Sequence, residues 1–385
     1  MKKWIWLLAL LTAFPPLSTD MYLPAIPSLA RNWQQPLWII NLTLVCFFIT
    51  YSFFLLVYGP VSDRFGRRPL LKTGISIYIA ASILCALAPN AASLIAFRIL
   101  QAAGGACASS LALAICSDVF ETRTRQRVLA YIGVVTAISP MLAPIFGGWL
   151  LAFLSWRWVF ITLAGLGAIA WAGVHWMRET LKPLARTSRV ALWTNYSRLF
   201  GNRSYLGLVF LVSFSVMPLF AFIAGSSDIY ITSFGLSEQV FGYFFGFNAL
   251  ALMSGALACS RLNRLLPSRR MLTVSFAGIF AGGLWLLSTA ATSPWGLALP
   301  MLIISFSTGM SRPPSFNLVL EQVDQRAGAA SSLLIFFFMT SGAIAMWFIS
   351  LSWPDKIQIL GIMGTVCGGA SLIFWLPAQR VVRTC

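Results

Sequence analysis

The chain has 385 residues, 58% of them hydrophobic and only 10% charged, with a formal net charge of +17. Soluble domains carry about 25% charged residues, so the composition excludes a soluble protein and points to the bilayer. A nucleic-acid role has no support either, because the basic excess is concentrated in the short segments between apolar runs, where it acts as an orientation signal.

A helical span takes about 20 mostly apolar residues. Twelve windows fit: 4–28, 38–60, 72–89, 92–114, 128–151, 157–177, 205–230, 239–259, 272–291, 295–312, 329–350 and 357–377. Each is a continuous apolar run without inside/outside alternation, so helices are expected and not a barrel. The first window opens on Lys2 and Lys3 like a signal peptide. It is too long for one, Pro15 and Pro16 interrupt it, and no small-residue cleavage site follows. With the N-terminus cytoplasmic, only Arg31, Arg157 and Lys356 of the 27 Lys and Arg fall in outer segments, and Arg98 falls within a span. The rest are on the inner side, which places both termini in the cytoplasm. The longest polar break, Arg178 to Arg203, divides six windows from six. Residues 1–180 are therefore expected to form one six-helix bundle, 181–204 a cytoplasmic linker and 205–385 a second bundle, with a central cavity between repeats.

An ionisable group inside a span costs about 2.5–3.5 kcal/mol, so each marks a functional position. Asp20, in the outer half of the first span, lies among Pro15, Pro16, Pro24 and Pro27. Prolines open a helix where a cavity is lined, and a shielded carboxyl there is a candidate proton carrier. Arg98 in the fourth span lies at similar depth, about 10 Å below the outer surface at 1.5 Å per residue. It either pairs with Asp20, restrains its charge, or snorkels to the interface. Ser226–Ile231, in the seventh span, reads SSDIYI and repeats Ser18–Leu23, STDMYL, a sign of parallel repeats. Asp228 is thus either a lining residue or a solvated helix end. Tyr22, Tyr51, Phe222 and Tyr230 are the aromatics expected, with Asp228, to contact an apolar ligand. His175 reads as interfacial at the inner end of the sixth span, and Arg312 as the inner end of the tenth. The seven cysteines are scattered without a CxxC pair and read as packing residues, so neither metal nor cofactor is expected. One histidine, no HExxH and no carboxylate pair at helical spacing inside a span argue against an enzyme.

Gly59 to Leu71 reads GPVSDRFGRRPLL and lies between the second and third windows. This loop resembles the signature of the major facilitator superfamily of transporters. The resemblance implies a cytoplasmic gate formed by Gly59, Asp63, Arg64, Gly66, Arg67 and Arg68 with Asp118, although Ser117 stands where close relatives usually carry arginine. LIAFRILQAAGGA resembles the fourth-span motif RxxQGxG, which implies proton coupling through Arg98. SPMLAPIFGGWL resembles the antiporter motif GPxxGG, with Ala143 replacing its first glycine. That likeness implies that Pro140, Pro144, Gly147 and Gly148 form a kinked helix sealing the inner side against proton leak. STDMYLPAIPSLA, WRWVF and EQVDQRAGAASSLL extend the likeness over both halves, to the drug:proton antiporter family and its bicyclomycin and chloramphenicol resistance branch. Implied are a proton-driven exporter of small, largely apolar compounds, a monomeric state, no cofactor and a bacterial inner membrane. A proton symporter importing a metabolite would have the same fold, and the direction of flux separates the two.

Overall fold

The computed structural model describes residues 2–181, 196–263, 265–289, 292–323 and 327–379. Most of the expected linker (181–204), together with Arg264, Asp324, Arg326, Arg380 and Arg383, lies outside the described residues. The described elements are helices: α1 (Lys2–Asp20), α2 (Ile26–Asn32), α3 (Leu37–Phe65), α4 (Arg67–Ala86), α5 (Ala91–Val119), α6 (Thr122–Phe153) and α7 (Arg157–His175), then α8 (Arg203–Ser215), α9 (Met217–Ser227), α10 (Glu238–Leu262), α11 (Ser268–Ser288), α12 (Pro294–Glu321), α13 (Ala327–Ser350) and α14 (Lys356–Ala378). Counting α1–α2 and α8–α9 as one broken rod each gives twelve rods among the described residues. Ten segments are long and apolar enough to cross a membrane by length and composition. The two rods that fall short of that test, α1 and α12, carry prolines inside the helix.

The chain divides into two compact units. One is Met1–Ala191 with Ser237–Gly242, and the other is Leu192–Leu236 with Tyr243–Cys385. In the first unit α4 and α3 pack on α5, α4 on α7, and α1 on α6. The α4–α5 crossing is close because Gly104 has no side chain; a Cβ there would strike the Tyr78 backbone and the Gly74 carbonyl. In the second unit α11 packs on α12 and α14, and α9 on α13. There Gly283 lets α11 touch the backbone of α14 at Gly364 and Thr365.

Both broken rods fail at a proline. An α-helix through Asp20 would need an N–H from position 24, and Pro24 has none. The α-ladder therefore ends at Asp20, a 3₁₀ turn covers Leu23–Ala25, and α2 resumes at Ile26. Pro218 likewise withholds a donor from Phe214 and separates α8 from α9. After Ser227 the backbone passes into a π-helical turn, Asp228–Ser233. Both aspartates of the sequence repeat stand where a stretch of α-helix ends, Asp20 ahead of a 3₁₀ turn and Asp228 at the start of a π turn, and the tyrosines two residues on, Tyr22 and Tyr230, are both fully buried. From Arg312, α12 runs on through Pro313 and Pro314 to Glu321. The guanidinium lies 5.1 Å from the Phe338 ring.

Candidate functional site

Asp20 is 6% exposed and occupies the last position of α1. The Thr19 hydroxyl lies 2.8 Å from its Oδ1. Arg98, on α5, is fully buried, so it does not snorkel to the interface. The pairing considered between the two is not formed; among the described residues no ion pair joins Arg98 to Asp20. Arg98 Nη1 instead donates to the Ser18 carbonyl at 2.9 Å and to Gln101 Oε1 at 2.6 Å. The reason lies in the break. Tyr22 N bonds the Thr19 carbonyl, not that of Ser18, which leaves the Ser18 oxygen without its α-helical donor. Arg98 takes that place and braces the turn that carries Asp20.

The rest of the guanidinium faces rings. Its carbon lies 4.4 Å from the Phe47 centroid, 5.2 Å from Tyr22 and 5.8 Å from Phe160. Desolvated cation–π contacts of this kind contribute about 2 kcal/mol, which helps a buried charge persist without a carboxylate. Gln101 passes the network on to Ser82 at 2.8 Å, and Ser82 donates to the Tyr78 carbonyl. The Tyr78 hydroxyl lies 2.6 Å from that of Ser18. Gln101 stood in the quoted fourth-span motif and Phe160 in WRWVF, each without an assigned role; Ser82, Tyr78 and Phe47 come from other spans and had no signal. For Gln101 the signal was its spacing, since i and i+3 share a helix face.

The α6 motif touches the same turn. Pro144, Gly147 and Gly148 are buried and Pro140 is half-buried. A Cβ on Gly147 would collide with the Met21 carbonyl, one residue past Asp20. Within the same unit, Gly148 approaches the backbone of Glu238. Gly147→Ala is therefore expected to destabilise by about 1–3 kcal/mol through overpacking against main chain. Gly59 is the control, because a Cβ there meets nothing within 4 Å. Gly59→Ala is expected to stay within about 0.5 kcal/mol of the parent. Thermal unfolding of both variants checks this, and equal stability would show that the approach at Met21 imposes no constraint.

The loop signature forms a second cluster, at the junction of α3 and α4. Gly66 turns the chain with φ +95°, a conformation that favours glycine. Arg67 is 8% exposed. Its Nη2 lies 2.7 Å from Asp63 Oδ1, its Nε 3.0 Å from Asp118 Oδ2, and its Nη1 donates to the Ser62 hydroxyl. Arg64 is exposed over the Phe65 ring at 5.2 Å. The structure adds Glu179. Its carboxylate accepts from the backbone N–H groups of Arg67 (3.0 Å) and Arg68 (3.1 Å), and from those of Thr180 (2.8 Å) and Leu181 (3.0 Å). It thereby caps the start of α4. Arg68 Nη2 reciprocates by donating to the His175 carbonyl at the end of α7, at 2.6 Å. Partial burial pushes the Glu179 carboxyl up, but the four N–H donors outweigh it and hold it below its ordinary value of 4.5. The cap is complete at neutral pH and is lost only as pH falls below that range.

In the second unit, Asp228 lies 2.6 Å from Lys356 Nζ at the first residue of α14. This aspartate is paired where its repeat partner Asp20 is not. Phe222 is buried, stacks on Phe245 at 5.8 Å and meets Tyr230 edge-on at 6.5 Å. Tyr230 also stacks on Phe244 at 5.0 Å. In the first unit Tyr51 is buried, with its hydroxyl 2.9 Å from that of Ser109.

Two units of membrane-length helices among the described residues define a multi-pass membrane protein. Residues 8–346 match the Major Facilitator Superfamily, and the chain belongs to that family of transporters. It is 30% identical to the "Uncharacterized MFS-type transporter YdgK" of Bacillus subtilis (strain 168), over 98% of this chain and 96% of that one. It is also 30% identical to the "Bicyclomycin resistance protein homolog" of Haemophilus influenzae, again over 98% and 96%. Among solved structures, the crystal structure of a D-xylose-proton symporter superposes with a TM-score of 0.79 over 97% of each chain; at 14% identity this shows the fold alone. The resemblance read from the loop motif is borne out, as is the all-α membrane fold.

Proposed function

We propose that this chain is a proton-coupled exporter of small, largely apolar compounds, antibiotics among them. The observation that carries the reading is Asp20, a carboxyl 6% exposed at a helix break, with a threonine hydroxyl beside it and no cation paired to it among the described residues. A charge at membrane depth costs about 2.5–3.5 kcal/mol, and a bound proton removes that cost. Protonation is thereby linked to whichever conformation shields the group more, and this linkage lets proton entry drive cargo outward. Arg98 acts as a positioning residue for the turn. The Arg67 cluster, from Gly59 to Arg68 with Asp118, holds one of the alternating states at the cytoplasmic face. Pro140, Pro144, Gly147 and Gly148 keep α6 against the Asp20 turn and limit proton leak. Tyr22, Tyr51, Phe222, Asp228 and Tyr230 contribute to cargo contacts. The likeness to a bicyclomycin resistance protein homolog supports an antibiotic as cargo. The setting is a bacterial inner membrane with both termini cytoplasmic, and the working unit is a monomer.

Inside-out vesicles holding the protein test this with radiolabelled bicyclomycin. Uptake is expected to follow an imposed proton gradient and to fall to the leak rate when a protonophore collapses it. Transport that continues unchanged without the gradient removes proton coupling. Accumulation only in right-side-out vesicles makes the protein an importer.

A further inference from the structure

The second unit carries a groove of about 650 Å³ between α8 and α14, with Ser341 of α13 contributing to its wall. On α8 it is lined by Arg203, Gly207, Leu211 and Phe214, positions that share one helix face. From Arg203 to Phe214 the face runs about 16 Å at 1.5 Å per residue. That matches one leaflet, half of a hydrocarbon core about 30 Å thick. The groove opens sideways, because Phe210, Phe214 and Phe374 on its walls are 54%, 36% and 67% exposed. Its ends differ in chemistry. Arg203 stands at one end and no acidic residue lines the groove, whereas the far end is aromatic. Arg198, also exposed, precedes Arg203 by little more than one turn of chain.

Two further features suit an occupant. Gly207 leaves a gap, since a Cβ there meets nothing within 4 Å. Ser371 lines the groove and is 2% exposed. Among the described residues no partner is found for its hydroxyl, whose oxygen is turned away from solvent, so Ser371 adds a small residue to the apolar wall.

We infer that this groove binds one anionic phospholipid of the cytoplasmic leaflet, with its phosphate at Arg203 and an acyl chain along Gly207, Leu211 and Phe214. Arginine suits phosphate through its planar fork of donors, and the cytoplasmic leaflet carries the anionic lipids. A chain that stays against one face of α8 needs both the basic end and the leaflet-long apolar wall. The choice of leaflet rests on the proposed orientation, with both termini cytoplasmic, but the site does not depend on which way cargo moves, nor on proton coupling.

Native mass spectrometry of the full-length protein, taken from vesicles of equal phosphatidylglycerol and phosphatidylethanolamine with matched chains, tests it. The parent is expected to retain one phosphatidylglycerol through detergent stripping that removes phosphatidylethanolamine. Gly207→Phe starts from a Cβ that meets nothing within 4 Å and is expected to lower retention about tenfold, the weight of a few lost apolar contacts, with unchanged thermal unfolding in stripped detergent. Arg203→Gln keeps the apolar wall and is expected to retain a lipid with no preference between the two headgroups. Equal retention of both lipids by the parent overturns the proposal, as does full retention by Gly207→Phe. Release of a transported compound from the groove in place of phospholipid overturns it as well.

Discussion

Asp20→Asn is expected to lower proton-driven transport by about 100-fold or more, the scale on which removing a proton-transfer group acts, while the protein remains folded. Asparagine keeps the shape of the side chain and an oxygen for the Thr19 hydroxyl. It cannot exchange a proton, so the linkage between protonation and conformation is lost. Stability should not fall by more than about 1 kcal/mol, because among the described residues no ion pair is broken. Uptake under an imposed gradient, together with thermal unfolding of the same preparation, separates the two effects. A variant that transports at the parent rate removes Asp20 from the mechanism. One that fails to fold calls for Asp20→Glu, which restores a titratable group at the cost of one methylene and should recover part of the activity.

Arg67 variants are expected to have the second largest effect. One guanidinium engages Asp63, Asp118 and Ser62 together and joins the end of α3, the start of α4 and the end of α5. The carboxylates are partly exposed, at 30% and 23% of their side chains, so solvent screens the pairs and the full cost of a buried ion pair does not apply. A loss of about 1–3 kcal/mol shifts a two-state equilibrium about 5- to 150-fold. Arg67→Ala should therefore depopulate the state that these bonds hold and cut turnover by about tenfold or more. Arg67→Lys should recover little, since an ammonium lacks the fork that meets three acceptors at once. Hydrogen exchange at the amides of Gly66 to Arg68 should rise in both variants. Parent-like turnover and unchanged exchange would mean the cluster holds no state.

Glu179 shows where reading the chain alone reached its limit. It sits in the basic stretch after the sixth window, where an acid looks solvated. Two of its four partners are backbone amides 111 and 112 positions earlier, and no local pattern announces a helix cap supplied from that distance. Lys356 is a similar case. It is one of three basic residues assigned to the outer face, and it turns out to be the partner of Asp228, 128 positions away. The loop signature was legible in part: Gly66 takes the turn readily, and Asp63 and Arg67 lie on either side of it, although the segment expected as a loop is the end of one helix and the start of the next.

Hydrocarbon penalises every unpaired polar group, so the apolar windows, the basic asymmetry between faces, the proline-marked break and the exceptional standing of Asp20 and Arg98 follow from residue order without any coordinates. The partner of a long side chain follows a different rule. Residue order left open whether Arg98 meets a carboxylate or a main-chain oxygen, and the helix packing around Ser18 presents the oxygen that the break had left without a donor. The Gly207 gap became a groove for the same kind of reason: a missing side chain is a void only where neighbouring helices do not close over it.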